Sequence, residues 1–302
     1  MSGVDPSAAV AKQTKLAAEI FDELYNKTFD GVGVTRASYG EGEQVASELL
    51  ESHAKKLGLV IDHDAAGNIY MTMRGESQEA PPIVIGSHID SVAQGGNFDG
   101  AAGVISGLIA CASIIEKGIR LPQDVRVMGI RAEESAWFGV SYIGSRSALG
   151  TLPKDALDNA KRSDTGITLG EHMFKAGCNP DALRAGDIYL PPSSLKAYLE
   201  VHIEQGPVLD SKDLPLGIVT GIRGNRRLPS AQCIGEYSHC GGVPRSYRKD
   251  AVLAVTDLVN YLDRIWDDCE NEGKDFAFTV GKFFTDKDYN NAFIMYTQGI
   301  VF

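Results

Sequence analysis

Apolar residues return every three or four positions over residues 8–28 and 41–57, which predicts two amphipathic helices, the second stopping at Gly58. After that the period falls to two. LGLVIDHDAAGNIYMTMRG reads as a hairpin-like pair of strands, PPIVIGSHI as the first buried strand and residues 120–131 as the next. Between these last two, AGVISGLIACASIIEKG is a helix whose Ala, Gly and Ser positions permit close packing on a sheet. Residues 151–194 mix helix and loop, and LKAYLEVHIEQGP restores a strand pattern. SKDLPLGIVTGIRG looks like a boundary. Beyond it RRLPSAQCIGEY alternates like strands, RKDAVLAVTDLVNYLDRIWDDCENEG forms one long helix, and strands resume. No internal repeat is evident. The order predicts an α/β chain with a larger domain over 1–212 and a smaller α+β domain over 213–302.

Three of the apolar strands stop at side chains that bind metals. IVIGSHIDSVAQGGNFDGAAGV delivers His88 at a strand end and Asp99 at a helix start, with Asp90 placed to hydrogen-bond the far ring nitrogen of His88. DVRVMGIRAEES ends in the adjacent carboxylates Glu133 and Glu134, and LKAYLEVHIEQGP in His202, Glu204 and Gln205. Ligand sites in open α/β sheets lie beyond the carboxyl ends of strands, so these groups can converge. Two neighbouring carboxylates can divide the work, one holding a metal and the other moving a proton. The competing readings are a polar strand-to-helix loop for His88–Asp99 and a solvated surface pair for Glu133–Glu134.

Composition narrows the function classes. The 302 residues are 43% hydrophobic, enough to bury a sizeable core. A net charge of −11 argues against nucleic acid and anionic membrane as partners. No run approaches the ~18 apolar residues of a membrane span, and MSGVDPSAAVAKQTK lacks the apolar core of a signal peptide. Cys111, Cys178, Cys233, Cys240 and Cys269 are odd in number without CxxC spacing, and read as reduced thiols of a cytoplasmic protein. A nucleophilic pairing of Cys240 with its neighbour His239 is disfavoured, since adjacent residues rarely form a catalytic pair.

GSHIDSVAQGGNFDGAAGV, AEESAWFGVSYIGSRSALG, HIEQGPVLD and SHCGGVPRSYRKDA, in this order, resemble the two-metal amidohydrolases of the hydantoinase/carbamoylase family, relatives of the di-zinc aminopeptidases. GVTRASYGEGE and DAAGNIYMTMRG also fit, so the likeness runs from about Asp30 to Phe302. It implies a di-zinc aminopeptidase-like catalytic domain, a mixed sheet flanked by helices, with an inserted smaller α+β domain that dimerises and acts as a lid. It implies two divalent ions, zinc or manganese with cobalt or nickel admissible, in a cytoplasmic homodimer. His88 and His202 would ligate one ion, Asp99 would bridge both, and Glu134 would ligate the second. Glu133 would be the general base, and His239 would reach the substrate from the smaller domain to stabilise an oxyanion. Gln205, Arg248 and Asn291 would bind substrate, Arg248 within an arginine group that also holds Arg223, Arg226, Arg227 and Arg245. Salt bridges to the acidic surface are the other reading of that group.

The family's fifth ligand, a histidine for the second ion, has no match. His53 and His63 read as surface residues, His172 fits no metal position, and no histidine follows His239. The position of a family asparagine falls at Ile294, with Asn290 and Asn291 nearby, and its Pro-Gly pair reads Thr297-Gln298. The smaller domain is therefore expected to be cut short and the return segment of the catalytic sheet to be missing. The activity implied is N-carbamoyl-L-amino-acid hydrolysis to amino acid, ammonia and carbon dioxide. Allantoate or ureidoglycolate hydrolysis, a di-zinc aminopeptidase, and a truncated inactive homologue are the alternatives.

Overall fold

The computed structural model describes residues 6–221, 227–228, 231–239, 241–281, 283–285 and 300–301. The chain forms two compact units, Met1–Val208 and Leu209–Phe302. The first begins with helices α1 (Pro6–Lys12), α2 (Thr14–Thr28) and α3 (Glu41–Lys56). The single helix expected over 8–28 is broken at Gln13, where Lys12 and Gln13 both turn their side chains onto Glu116 at 2.9 and 2.7 Å. Strands β1 (Val60–His63), β2 (Ile69–Met73) and β3 (Ile83–His88) follow, then α4 (Ala101–Glu116) and β4 (Val125–Ile130). β4 is shorter than the expected 120–131, since Pro122 brings no N–H to a ladder. Short helices α5 (Ser135–Phe138), α6 (Ile143–Ala148), α7 (Ala156–Asn159), α8 (Leu169–Lys175) and α9 (Pro180–Arg184) lead to strand β5 (Ala197–Leu199).

The sheet has the order β1-β2-β4-β3-β5. β1, β2 and β4 pair antiparallel in succession, while β3 lies parallel between β4 and β5. Alternation along the strands fills both faces. Ile69, Met71, Val125 and Val127 join α2, α3 and α4 in the main core. Tyr70, Val84, Met128 and Ile130 build a second cluster with Ala148 and Leu190. α4 lies close on the sheet because it carries Gly107, where a Cβ would stand 2.8 Å from Val127.

β5 ends three residues before His202, although the sequence pattern continues through it. The chain leaves the sheet there to cross the start of α4, and the Val201 carbonyl comes within 2.3 Å of where a Cβ on Gly103 would be. His53, expected on the surface, is 5% exposed on α3, with Nε2 3.4 Å from Glu23.

Helix α10 (Val208–Ser211) spans the boundary between the units. The second unit holds β6 (Arg227–Leu228), α11 (Ala251–Asn271) and β7 (Ile300–Val301), with β6 and β7 antiparallel. Asp250 caps α11, accepting from the main-chain N–H groups of Val252 and Leu253. Among the described residues the alternation of RRLPSAQCIGEY yields β6, while residues 231–239 form no strand, their bond from the Glu236 N–H to the Lys249 carbonyl at 3.0 Å not extending into a ladder. No helix among the described residues is long and apolar enough to cross a membrane.

Candidate metal centre

The parallel ladder from Ile83↔Val125 to His88↔Ile130 brings the ends of β3 and β4 level, so His88 and the Glu133–Glu134 pair emerge at one edge. Asp99 arrives from the opposite direction, just before α4. The turn from Asp99 into α4 is tight: Gly100 has φ +66°, and a Cβ on it would lie 2.4 Å from His88 Nδ1. Only a glycine fits there without strain.

Nε2 of His88 and Nε2 of His202 lie 3.2 Å apart, and each is 3.4 Å from Asp99 Oδ1. Among the described residues these three side chains form the one group whose ligand atoms all lie within 4.8 Å of each other. Ligands at ~2.0–2.1 Å around a tetrahedral zinc stand roughly 3.3 Å apart, which is the size of this triangle. The ring orientations agree. His88 Nδ1 donates to the Asp90 carbonyl at 2.9 Å and His202 Nδ1 to the Ile203 carbonyl at 2.9 Å, which leaves both Nε2 atoms to face the ion position. Asp99 Oδ1 is buried with no hydrogen-bond partner among the described residues. These residues fit a divalent cation.

The electrostatics say the same. Burial works against a proton on His88, yet Asp90 and Asp99 outweigh it and raise its pKa to about 10. Asp99 is held down to about 2, first by His88 and against its own burial, with Gln205 helping. The centre is built to accept positive charge. Glu133 differs: burial pushes it up to about 7, and its Oε2 has no hydrogen-bond partner among the described residues. Burial also raises Glu134, with Asp90 and Asp99 adding to the effect and His88 and His202 opposing it. Glu134 stands outside the 4.8 Å group.

The family model of Peptidase family M28 matches residues 68–168, which include the β3 end, Asp99 and both glutamates. An N-carbamoyl-L-amino acid amidohydrolase of Geobacillus stearothermophilus is 38% identical over 249 residues, covering 82% of this chain and 58% of the relative. The crystal structure of a hydantoinase/carbamoylase family amidase from Burkholderia ambifaria superposes with a TM-score of 0.78 at 28% identity, covering 97% of this chain and 69% of that one. Over these stretches the chain is similar to the amidases of the hydantoinase/carbamoylase family. A probable allantoate deiminase of Oryza sativa subsp. japonica is 34% identical over 242 residues, covering 79% of this chain and 49% of the relative. The chain thus spans about half the length of the curated relatives it matches.

The remaining residues singled out in the sequence fall in different places. Asp90 meets His88 through its main-chain carbonyl, while its carboxylate, fully buried, accepts from Ser38 Oγ and from the main-chain N–H groups of Glu133 and Glu134. It holds the glutamate turn more than it orients the imidazole. Gln205 Nε2 donates to Asp99 Oδ2 at 2.8 Å. In the second unit, His239 Nδ1 accepts from Gly241 and Gly242, and Arg248 Nε donates to the Val243 carbonyl. Arg223, Arg226, Cys240, Asn290, Asn291, Ile294, Thr297 and Gln298 lie outside the described residues.

Sequence reasoning gave no role to Arg36, Ser38 or Glu43. All three are fully buried, and all lie in or beside the GVTRASYGEGE segment. Glu43 accepts from Arg131 and from the main-chain N–H groups of Tyr39 and Ala132, which fixes the residue before Glu133. The available signal was a charged, glycine-flanked segment with no helical or strand period.

Proposed function

We propose that this chain carries the metal-binding part of an amidohydrolase that cleaves a linear ureido C–N bond, with an N-carbamoyl-L-amino acid as substrate. The reading rests on one observation: His88, Asp99 and His202 converge at ligand spacing beside two carboxylates, one of them protonatable near neutral pH. His88, Asp99 and His202 would hold one divalent ion, with Asp99 bridging to a second on Glu134. Zinc or manganese suits these donors, and cobalt or nickel is admissible. When bound, the ions supply Lewis acidity that lowers the pKa of water to near neutrality and polarises the carbonyl.

The chain's own groups do the rest. Glu133 takes a proton from water as the water oxygen bonds to the ureido carbon. The bond from that carbon to the amino-acid nitrogen then breaks, and Glu133 returns the proton to the leaving nitrogen. The carbamic acid released falls apart to ammonia and carbon dioxide. His239 accepts two main-chain N–H groups at Nδ1, so its neutral ring carries the proton on Nε2, where it can donate to an oxyanion. Gln205, Arg248 and Asn291 would bind the substrate's amide and carboxylate groups. Residues 213–302 would form the smaller, dimerising lid domain of a cytoplasmic enzyme.

Allantoate or ureidoglycolate is the second substrate reading, allantoate favoured by the name of the rice relative and ureidoglycolate by that of an Arabidopsis thaliana relative, a ureidoglycolate hydrolase. The test supplies zinc or manganese and follows ammonia release from N-carbamoyl amino acids and allantoate, against amine release from dipeptides. Ammonia from the carbamoyl substrates is expected. Faster dipeptide cleavage would move the chain to the aminopeptidases, and metal binding without any turnover would make it a non-catalytic homologue. Glu133→Gln should cut turnover by about 10²–10⁴-fold with metal retained; unchanged turnover removes Glu133 as the base.

A further inference from the structure

Arg36 is the largest fully buried side chain among the described residues. A guanidinium out of water costs several kcal/mol unless charge and hydrogen bonds compensate. Arg131, the other deeply buried arginine, has the Glu43 carboxylate at 2.7 Å. Arg36 has no carboxylate at ion-pair distance among the described residues. Its Nε donates to the Ile89 carbonyl at 2.7 Å and its Nη2 to the Asp99 carbonyl at 3.1 Å, while Nη1 is buried without a partner.

Those two carbonyls bracket the metal centre. Ile89 follows His88, and Asp99 is itself a ligand candidate. The main chain of Arg36 grips the same loop a third time, its N–H donating to Ser91 Oγ and its carbonyl accepting from the Ser91 N–H, each at 2.9 Å. The loop from His88 to Asp99 is long and glycine-rich, so its two ligands keep their spacing only if something outside it ties its ends together. A planar guanidinium does so because its donors diverge from one rigid group.

We infer that Arg36 is a positioning residue of the metal centre, clamping the Ile89 and Asp99 carbonyls so that the Asp99 carboxylate meets His88 Nε2 at ligand distance. The inference rests on the metal-centre reading above. Fully buried and outside the His88–Asp99–His202 triad, Arg36 acts through the groups it holds. Its charge also sits behind Asp90 and Asp99, so it offsets carboxylate repulsion before an ion arrives.

The test is a cobalt(II) titration of the full chain, followed by visible absorption and by competition with a chelator. Wild type, Arg36→Met and Arg36→Lys are compared. Arg36→Met should weaken cobalt binding by about 10–100-fold, the usual effect of removing a group that orients ligands. Arg36→Lys keeps the charge but cannot span both carbonyls. It should fold, bind several-fold more weakly than wild type, and shift the cobalt spectrum. Wild-type affinity and spectrum in both folded variants would overturn the inference, as would loss of folding by both without metal, which would make Arg36 a purely structural residue. A wild-type chain that binds no cobalt would instead sink the metal-centre reading, and this inference with it.

Discussion

His88 stands at the end of a six-residue strand paired on both sides, whereas His202 lies three residues beyond a three-residue strand paired on one. His88 is 8% exposed; the side chain of His202 is 32% exposed. Around the first, Arg36, Asp90 and Gly100 fix the loop, its carbonyls and the ring. Around the second, the described residue that meets the ring from outside the triad is its own neighbour, the Ile203 carbonyl accepting from Nδ1. Two candidate ligands of the same type thus meet Asp99 at equal distance, one built into the core and the other laid across its edge. The difference teaches that ligand spacing alone does not reveal which arm fixes the site. Fold stability and metal affinity should separate when the two arms are perturbed in turn.

The largest effect is expected at Gly100. Alanine there would need a left-handed backbone and would drive its Cβ to 2.4 Å from the His88 ring and 2.5 Å from the His88 carbonyl. Strain and overpacking together should cost about 3–5 kcal/mol. Gly100→Ala should therefore lower the denaturation midpoint and abolish metal binding together. Metal binding at wild-type strength in a stable Gly100→Ala protein would show the turn to be more plastic than its packing implies. Asp90→Ala comes next. It leaves the Ser38 hydroxyl and two main-chain N–H groups without their acceptor, a loss of roughly 2–4 kcal/mol in chemical denaturation. Because those N–H groups belong to Glu133 and Glu134, turnover should fall more than metal affinity does. An equal fall in both would place Asp90 with His88 alone.

Much of the well-built arm was legible in the sequence. A run of apolar residues ending in His88, an Asp before a small-residue helix, and a Glu pair after a strand are local patterns, and β3, α4 and β4 form where those patterns lie. His202 was legible as a residue but not as a place. Its strand stops at Leu199, because pairing on one side cannot hold the chain in the sheet once it must cross α4. The supporting layer was not legible. Arg36 and Glu43 look in sequence like solvated charges, and only the tertiary contacts that bury them give them partners. The same reason hid His53, whose charged helix packs it against α2 instead of turning it to solvent.

The smallest effect isolates the comparison. In the presence of chelator, His202→Ala removes a half-exposed ring that the fold barely uses, so the melting temperature should move by no more than about 1–2 °C. His88→Ala, under the same conditions, empties a buried position beside Asp90 and Gly100 and should lower it by several degrees. Adding zinc reverses the emphasis. A ligand that binds only the folded state stabilises it by mass action, so wild type should gain in proportion to the ratio of free metal to Kd, and both variants should lose most of that gain. His202→Ala would then be a chain with native stability and no metal-induced shift. A drop in chelator as large as that of His88→Ala would mean that the edge arm, despite its exposure and its short strand, is as deeply built into the fold as the other.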